Sequence, residues 1–273
     1  MPLGKLYIGT SGWIYSHWDG IFYPEGLAGK DYNPPTTRLK YFSKHLKTTE
    51  INYSFYHLPR PSSYEKWHSE TPADFIFSVK ASRFITHIKR LQGVKEAWRQ
   101  FLENALNLKE KLGPILLQLP PSFKGNFENI SRVEDFLTSV TKYKNQKSKI
   151  KMTNQNSKSK DTKPRLAIEV RHPSFKNSNF FSLLQKYNVA LVISDSPTWQ
   201  KIERPQLADF VYIRMHGSKV LFSSKYTKKE LSSLAQKIKK WLKQKLDVFV
   251  YFNNDFHGHA IENAKELLKL CKT

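Results

Sequence analysis

Eight short apolar segments recur along this chain, and amphipathic segments separate most of them. The apolar segments have the length of buried strands, whereas a segment such as 95–111 carries apolar residues at helical spacing. An alternation of strand and helix repeated eight times predicts an α/β fold, namely a single (β/α)8 TIM-type barrel over 1–273. The predicted strands are 6–10, 48–55, 75–80, 114–119, 166–171, 189–195, 210–216 and 248–254.

Two connections differ from the others. Between 195 and 210 there is too little chain for a full crossover helix, so we predict one abbreviated crossover between strands six and seven. The segment 145–163 is rich in Lys, Ser, Asn and Gln, and it predicts a basic low-complexity insertion that forms a loop. Because this segment precedes a strand, we expect it at the N-terminal end of the barrel, opposite the end where barrel enzymes carry their active sites.

The charge and composition limit the partners. A formal net charge of +22 favours polyanionic partners, either nucleic acid or a phosphorylated small molecule, although a general preference for lysine would also produce it. No apolar run approaches the roughly 20 residues of a membrane span, so we expect no membrane partner. The single cysteine, Cys271, excludes an intrachain disulfide, and the beginning of the chain lacks the pattern of a signal peptide. We expect a cytoplasmic location.

The segment 165–172 ends in a group of ionisable residues. Its period-2 pattern places Ala167, Glu169 and Arg171 on one face, which we expect to point into the barrel, and His172 opens the next loop. Other predicted strands also end in polar residues, and the C-terminal ends of parallel barrel strands meet at one mouth. We therefore predict an active site there, although Glu169 and Arg171 could instead form a buried structural ion pair.

The candidate residues fall into two groups. We predict that the arginines hold a phosphate or carboxylate, that acidic and histidine residues transfer protons, and that aromatic residues stack on a base or sugar or simply pack. Lys80 could form a Schiff base, bind an anion or pair with an acid. The predicted catalytic residues are Glu169, His216, Asp195, His87 and His172. The predicted substrate-binding residues are Arg171, Arg214, Lys80, Asn52, Gln118, Trp13, Tyr56, Tyr251, Asn253 and Asp255.

Two other chemistries remain open. The same histidine and acidic residues supply the N and O ligands of a divalent metal, but no closely spaced histidine motif supports a metal, and no cofactor is assigned. Glu50 and Glu169 could form the carboxylate pair of a glycosidase. The chain contains no nucleophile elbow, P-loop or zinc-finger pattern.

A set of motifs stands at these strand ends, namely Gly9-Thr-Ser-Gly-Trp13, Glu50-Ile-Asn52, Ile85-Thr-His87, Leu116–Pro121, Ile168-Glu-Val-Arg-His172, Tyr212–Gly217 and Tyr251–Asp255. Together they resemble the YecE-like family, catalogued as a domain of unknown function. The resemblance extends through nearly the whole chain except 145–163, and it implies a TIM-type barrel similar to the apurinic-endonuclease and xylose-isomerase group. Those endonucleases use several metal ions, and this chain has no evident matching ligand set.

The leading hypothesis is an enzyme that acts on a phosphate-bearing substrate, nucleic acid or a nucleotide, and whose reaction is hydrolysis of phosphoester bonds. One alternative is a non-catalytic barrel that binds nucleic acid. Another is an isomerase or lyase of sugars or sugar phosphates.

Overall fold

The computed structural model describes residues 3–27, 36–151 and 164–272. It confirms the predicted alternation of strands and helices. The strands are β1 Leu6–Ser11, β2 Thr48–Ile51, β3 Ile76–Lys80, β4 Leu112–Gln118, β5 Leu166–Glu169, β6 Val189–Leu191, β7 Ile193–Asp195, β8 Phe210–Met215 and β9 Asp247–Phe252. The α-helices are α1 Arg38–His45, α2 Tyr53–Tyr56, α3 Pro61–Ser69, α4 Lys95–Ala105, α5 Phe127–Lys151, α6 Ser178–Lys186, α7 Lys228–Lys243 and α8 His259–Lys272.

All strand pairs are parallel, and their order is β6-β5-β4-β3-β2-β1-β9-β8-β7. The two edge strands, β6 and β7, are successive parts of one predicted strand and are separated only by Val192. The first part pairs with β5 and the second with β8. The sheet is therefore a nearly closed barrel whose eight wall positions are those predicted, with one interrupted strand at the seam.

Side chains alternate between the barrel interior and the helix layer. Ala167 packs in the interior with aromatic residues such as Tyr212 and Phe249, whereas Leu166 and Ile168 belong to the larger core under the helices. This alternation confirms the predicted faces of β5. Small side chains on one wall leave room for large ones from the facing wall, which fills a narrow barrel.

The connections show the predicted irregularities. Between β7 and β8 the chain forms only a 3-10 helix, Pro205–Leu207, which confirms the abbreviated crossover. The predicted helix 95–111 is instead α4 followed by a 3-10 helix, Leu106–Lys111. Within the predicted insertion, residues 145–151 are the last part of α5 rather than loop, and 152–163 lies outside the described residues. No helix in the described ranges has the length and apolar composition needed to cross a membrane.

The strands β1 and β2 approach each other closely, and a substitution at this contact tests the strand arrangement of the barrel. A Cβ atom at Gly9 would lie 1.9 Å from the carbonyl oxygen of Thr48, so alanine there must push the two strands apart. We expect Gly9→Ala to lower the free energy of unfolding by about 1–3 kcal/mol, the usual cost of overpacking. Urea denaturation measures this change, and an unaltered midpoint and slope would contradict the close approach.

Candidate active site at the barrel mouth

Arg214 is the centre of a buried charge network. It lies on β8 and is 1% exposed, while Glu50 on β2 and Glu169 on β5 are fully buried. Its Nη1 is 2.6 Å from Glu169 Oε2, and its Nη2 is 2.8 Å from Glu50 Oε1. One guanidinium thus connects three strands across the interior of the barrel.

Further donors satisfy the two carboxylates. Ser11 Oγ donates to Glu50 Oε1 at 2.8 Å, and the Tyr212 hydroxyl donates to Glu50 Oε2 at 2.7 Å. Arg171 Nε donates to Glu169 Oε1 at 3.0 Å. Buried carboxylates need such partners because an unpaired charge in the interior costs several kcal/mol.

The network fixes its own protonation states. Burial alone would raise the pKa of Glu169, but Arg214 and then Arg171 outweigh burial and hold that pKa well below its usual range. Burial likewise disfavours the charged form of Arg214, but Glu50 and Glu169 outweigh it and raise the pKa of the guanidinium. Glu169 and Arg214 are therefore both ionised at any ordinary pH.

His216 lies beneath the surface of the mouth. Burial first, and then Arg214, holds the pKa of His216 well below 6.5, so its ring is neutral. Asn253 Nδ2 is 3.0 Å from Nδ1, and this contact assigns the ring proton to Nε2, which makes no hydrogen bond with a described residue. That Nε2 lies 3.8 Å from Glu169 Oε1. The rings of Trp199 and Phe222 cover the imidazole, with centroid distances of 5.1 and 5.7 Å.

Above the network is an open cavity of about 740 Å³. Its lysine and arginine side chains outnumber its acidic ones, because Asp255 is the single Asp or Glu that lines it in the described part of the chain. The lining residues are Tyr15, Asn52, Phe55, Tyr56, Lys80, Arg83, His87, Gln118, Arg171, Arg214, Phe222, Asn253 and Asp255.

Arg171 and Lys80 are the cationic groups best placed for a ligand. The Arg171 guanidinium is 4.1 Å from the centroid of the Trp199 ring, and its Nη atoms make no hydrogen bond with a described residue. Lys80 Nζ is 4.1 Å from the centroid of the Phe55 ring and has no hydrogen bond or ion pair with a described residue. Burial, followed by the charge of Arg214, lowers the pKa of Lys80 to about 7.

Two more lining residues can exchange protons. Burial, and then Lys80, lowers the pKa of His87 to about 4, so this imidazole is neutral at pH 7 and can accept a proton. Burial raises the pKa of Asp255 above its ordinary value. Asn52 Oδ1 is buried and has no hydrogen-bond partner among the described residues, so it can accept a hydrogen bond from a ligand.

Asp195 and His172 do not join the predicted group. Asp195 lies on the outer side of the wall, where its carboxylate accepts hydrogen bonds from Lys201 at 2.7 Å and from Tyr226 at 3.0 Å. The inward position on that strand belongs to Ser194, which pairs in register with Arg214. His172 caps the 3-10 helix Pro173–Phe175, because its Nδ1 accepts a hydrogen bond from Ser174 N at 3.2 Å.

Trp13 and Tyr251 also lie outside the cavity. Trp13 packs edge-on against Trp67 with a centroid distance of 5.5 Å, in the core between the wall and the helices. Tyr251 is buried within the barrel, and its hydroxyl is 2.8 Å from both Thr48 Oγ1 and Ser78 Oγ. Both side chains therefore have packing roles in this structure.

The prediction missed part of the site. Glu50 was placed at the end of its strand, on one face with Asn52, and considered as one of a glycosidase pair, but it was not named as the partner of an arginine. Ser11 and Tyr212 stood within the matching motifs but were given no role, and Phe222 was not singled out, since a loop phenylalanine carries no distinctive spacing.

The donor set does not fit the alternative of a divalent metal. Among the described residues, no group of three or more His, Cys, Asp or Glu side chains is placed to hold a metal ion. The carboxylates of Glu50 and Glu169 are each bound by a guanidinium, which a cation would have to displace.

The fold and this mouth define a TIM-type barrel protein with a largely cationic cavity above a buried ionic network. The chain belongs to the family described as "Protein of unknown function DUF72", whose model matches residues 7–273. This match confirms the resemblance to the YecE-like family.

Relatives and solved structures agree with this assignment. The UPF0759 protein YunF of Bacillus subtilis strain 168 is 25% identical over 296 residues, which cover 97% of this chain and 94% of that protein. The UPF0759 protein YecE of Escherichia coli strain K12 is 28% identical over 118 residues, 43% of this chain and 39% of that protein. A DUF72 family protein from Thermotoga maritima MSB8 superposes with a TM-score of 0.78 at 26% identity, covering 98% of this chain and 100% of that one.

The buried network predicts an unequal response to arginine removal. Arg214→Met leaves two buried carboxylates without their shared cation, so we expect a loss of about 3–5 kcal/mol in the free energy of unfolding. Arg99 is the matched control because it also contacts two glutamates, Glu96 and Glu103, but its side chain is 43% exposed. Arg99→Met should cost about 0–1 kcal/mol. Equal losses in chemical denaturation would contradict the proposed importance of the network.

Proposed function

We propose that this protein is an enzyme that acts on a phosphate-bearing substrate at the C-terminal mouth of the barrel, and that this substrate is a nucleotide or a nucleic acid strand. The observation that carries the proposal is the position of Arg171. Its Nε is fixed by Glu169 and its plane is stacked on Trp199, while its Nη atoms remain available at the cavity. A guanidinium held in this way is preorganised to bind a phosphate with two parallel hydrogen bonds.

The charge distribution supports an anionic substrate. The two carboxylates of the network are fully buried, whereas Lys80, Arg83 and Arg171 line the cavity. A ligand therefore meets cationic groups first, and only Asp255 among the described lining residues would repel it. A net charge of +22 would also attract a polyanion over longer distances.

The rim of the mouth supports a substrate with flat apolar parts. All large exposed apolar side chains in the described residues, except Leu3 and Leu106, lie between the end of a strand and the start of the main helix of that connection, and hence around this end of the barrel. Aromatic rings so exposed can stack on nucleobases, a contact worth about 1–3 kcal/mol per base. These side chains are Ile14, Ile21, Tyr53, Tyr56, Leu58, Phe84, Ile88, Phe127, Val220, Phe222 and Phe256.

The positions of the ionisable groups support distinct roles. We assign His87, which is neutral, the role of base toward a water that attacks the phosphoester, and the leaving oxygen takes its proton from solvent. Glu169 is assigned a positioning role, because it holds Arg171 and Arg214 and is itself fully buried. His216 likewise orients Asn253 rather than meeting the substrate.

Binding of inorganic phosphate tests the anion site. Arg171→Gln should weaken phosphate binding by about tenfold or more, since one charge-assisted hydrogen bond contributes about 1.5–3 kcal/mol. Arg165→Gln is the matched control, because Arg165 immediately precedes β5, at the end of the barrel opposite the cavity. Like Arg171, Arg165 pairs with an acidic residue, Asp247, and lies over an aromatic ring, that of Phe210. Isothermal titration calorimetry should show the loss only for Arg171→Gln. Equal affinities for both variants would overturn the proposed anion site.

A measurement of turnover distinguishes the proposed enzyme from a protein that only binds nucleic acid. A labelled single-stranded oligonucleotide should bind with an affinity that falls steeply with salt, because phosphate contacts release counterions. Cleavage of that strand, or release of phosphate from nucleotides, should be lost in His87→Asn with binding retained. Binding without turnover in the unaltered protein would instead support the alternative of a non-catalytic nucleic-acid-binding barrel.

A further inference from the structure

Lys80, which is half-buried on the wall of the cavity, differs from Lys111, the buried lysine of the described residues. The Nζ atom of Lys111 is held by three oxygens, those of His68 at 2.6 Å and of Thr71 at 2.7 and 3.2 Å, which explains it as a structural residue. Lys80 has no such partners, and it lies at the end of β3 on the wall of the cavity. A half-buried lysine on a cavity wall, with no hydrogen bond or ion pair to a described residue, requires another explanation.

The surroundings of Lys80 favour the neutral amine. Burial beside the ring of Phe55 is the largest effect on its pKa, and the charge of Arg214 follows. The carboxylates of Glu50 and Glu169 act in the opposite direction, but burial and the arginines outweigh them. The pKa of about 7 leaves about half of the amine neutral at pH 7. For an ordinary lysine the neutral fraction is smaller by roughly a thousandfold. Desolvation and adjacent cations are the two means by which proteins activate a lysine as a nucleophile.

We propose that Lys80 forms a covalent imine with an aldehyde or ketone carbon of the substrate. One part of this inference rests on the proposed function, namely that Arg171 binds the phosphate of the substrate. Because Lys80 and Arg171 line the same cavity, the substrate class is a carbonyl compound that also carries a phosphate.

The bonding changes are those of imine formation. The nitrogen lone pair of Lys80 adds to the carbonyl carbon, a C–N bond forms, and the C=O π electrons move to oxygen, which receives a proton from nitrogen. The C–O bond of this carbinolamine then breaks, and the hydroxyl leaves with one added proton as water. The product is an iminium ion, and its hydrolysis regenerates the free lysine and the carbonyl compound. While it exists, the iminium withdraws electrons from the adjacent C–C and C–H bonds. The added proton comes from solvent, which the open cavity admits.

Two kinds of compound contain both a carbonyl group and a phosphate. One is a free sugar phosphate in its open-chain carbonyl form. The other is a sugar within a nucleic acid strand that has lost its base and so exposes an aldehyde between two phosphates. Both place a carbonyl near a phosphate, and the apolar rim would contact the bases that flank the second.

Reductive trapping tests the imine. The protein is incubated at pH 7 with sodium cyanoborohydride and either dihydroxyacetone phosphate or an oligonucleotide with one abasic site, and the adduct is located by mass spectrometry. We expect one adduct per chain at Lys80 with at least one probe, and the reactive probe identifies the source. Lys80→Arg and Lys80→Met should lose it. Lys201→Arg, at an exposed lysine paired with Asp195, should keep it. Labelling of Lys80 should increase from pH 6 to 8 as the amine loses its proton.

The outcomes separate this inference from the proposed function. If neither probe labels Lys80 more than Lys201, the imine is overturned, and since the mapping uses the unaltered protein, this result does not depend on the folding of a variant. If phosphate binds the unaltered protein and Lys80→Arg but no adduct forms, only the imine fails. If dihydroxyacetone without a phosphate labels Lys80 as well as its phosphate ester does, and phosphate does not bind, the imine stands and the proposed anion site fails.

Discussion

The ion pairs that Arg214 makes with Glu50 and Glu169 are the constraint on which the mouth of this barrel depends. Desolvating one guanidinium and two carboxylates is expensive, and the structure compensates with short contacts and with the hydroxyls of Ser11 and Tyr212. The network fixes β2, β5 and β8 relative to one another. It also determines where Arg171 lies, because the second oxygen of Glu169 receives the Nε of that side chain.

This arrangement separates charge by depth. The acidic groups lie behind their arginine partners, so the negative charge that stabilises Arg171 and Arg214 is hidden from a ligand, and the cavity exposes mainly cationic groups. The same cations act on Lys80 and His87, where with burial they favour the neutral forms. A single set of buried contacts therefore creates both an affinity for anions and a supply of unprotonated nitrogen atoms at the same place.

The sequence predicted the barrel and about two thirds of the mouth, because period-2 patterns specify which face of a strand points inward. That rule placed Ala167, Glu169 and Arg171 correctly. Asp195 was chosen only because it ends its strand, and the inward position there is one residue earlier, at Ser194. The partners of Arg214 could not be predicted, since a single sequence gives no information on which charges of distant strands meet. The cover over His216 depends on a loop in which Phe222 has a φ of 63°, and no pattern indicated that conformation.

The interruption of the wall strand at Val192 affects the local stability of the barrel. There each half of one wall strand is hydrogen-bonded to a single neighbour, and the following connection has a 3-10 helix of three residues where the other crossovers have an α-helix. Protection against local unfolding is weakest where a strand is hydrogen-bonded on one side only and where no α-helix covers it. Trp199, which stacks on Arg171 and covers His216, belongs to this connection. Local opening of the wall would therefore begin beside the cavity and loosen the stacked arginine while the opposite half of the barrel stays closed.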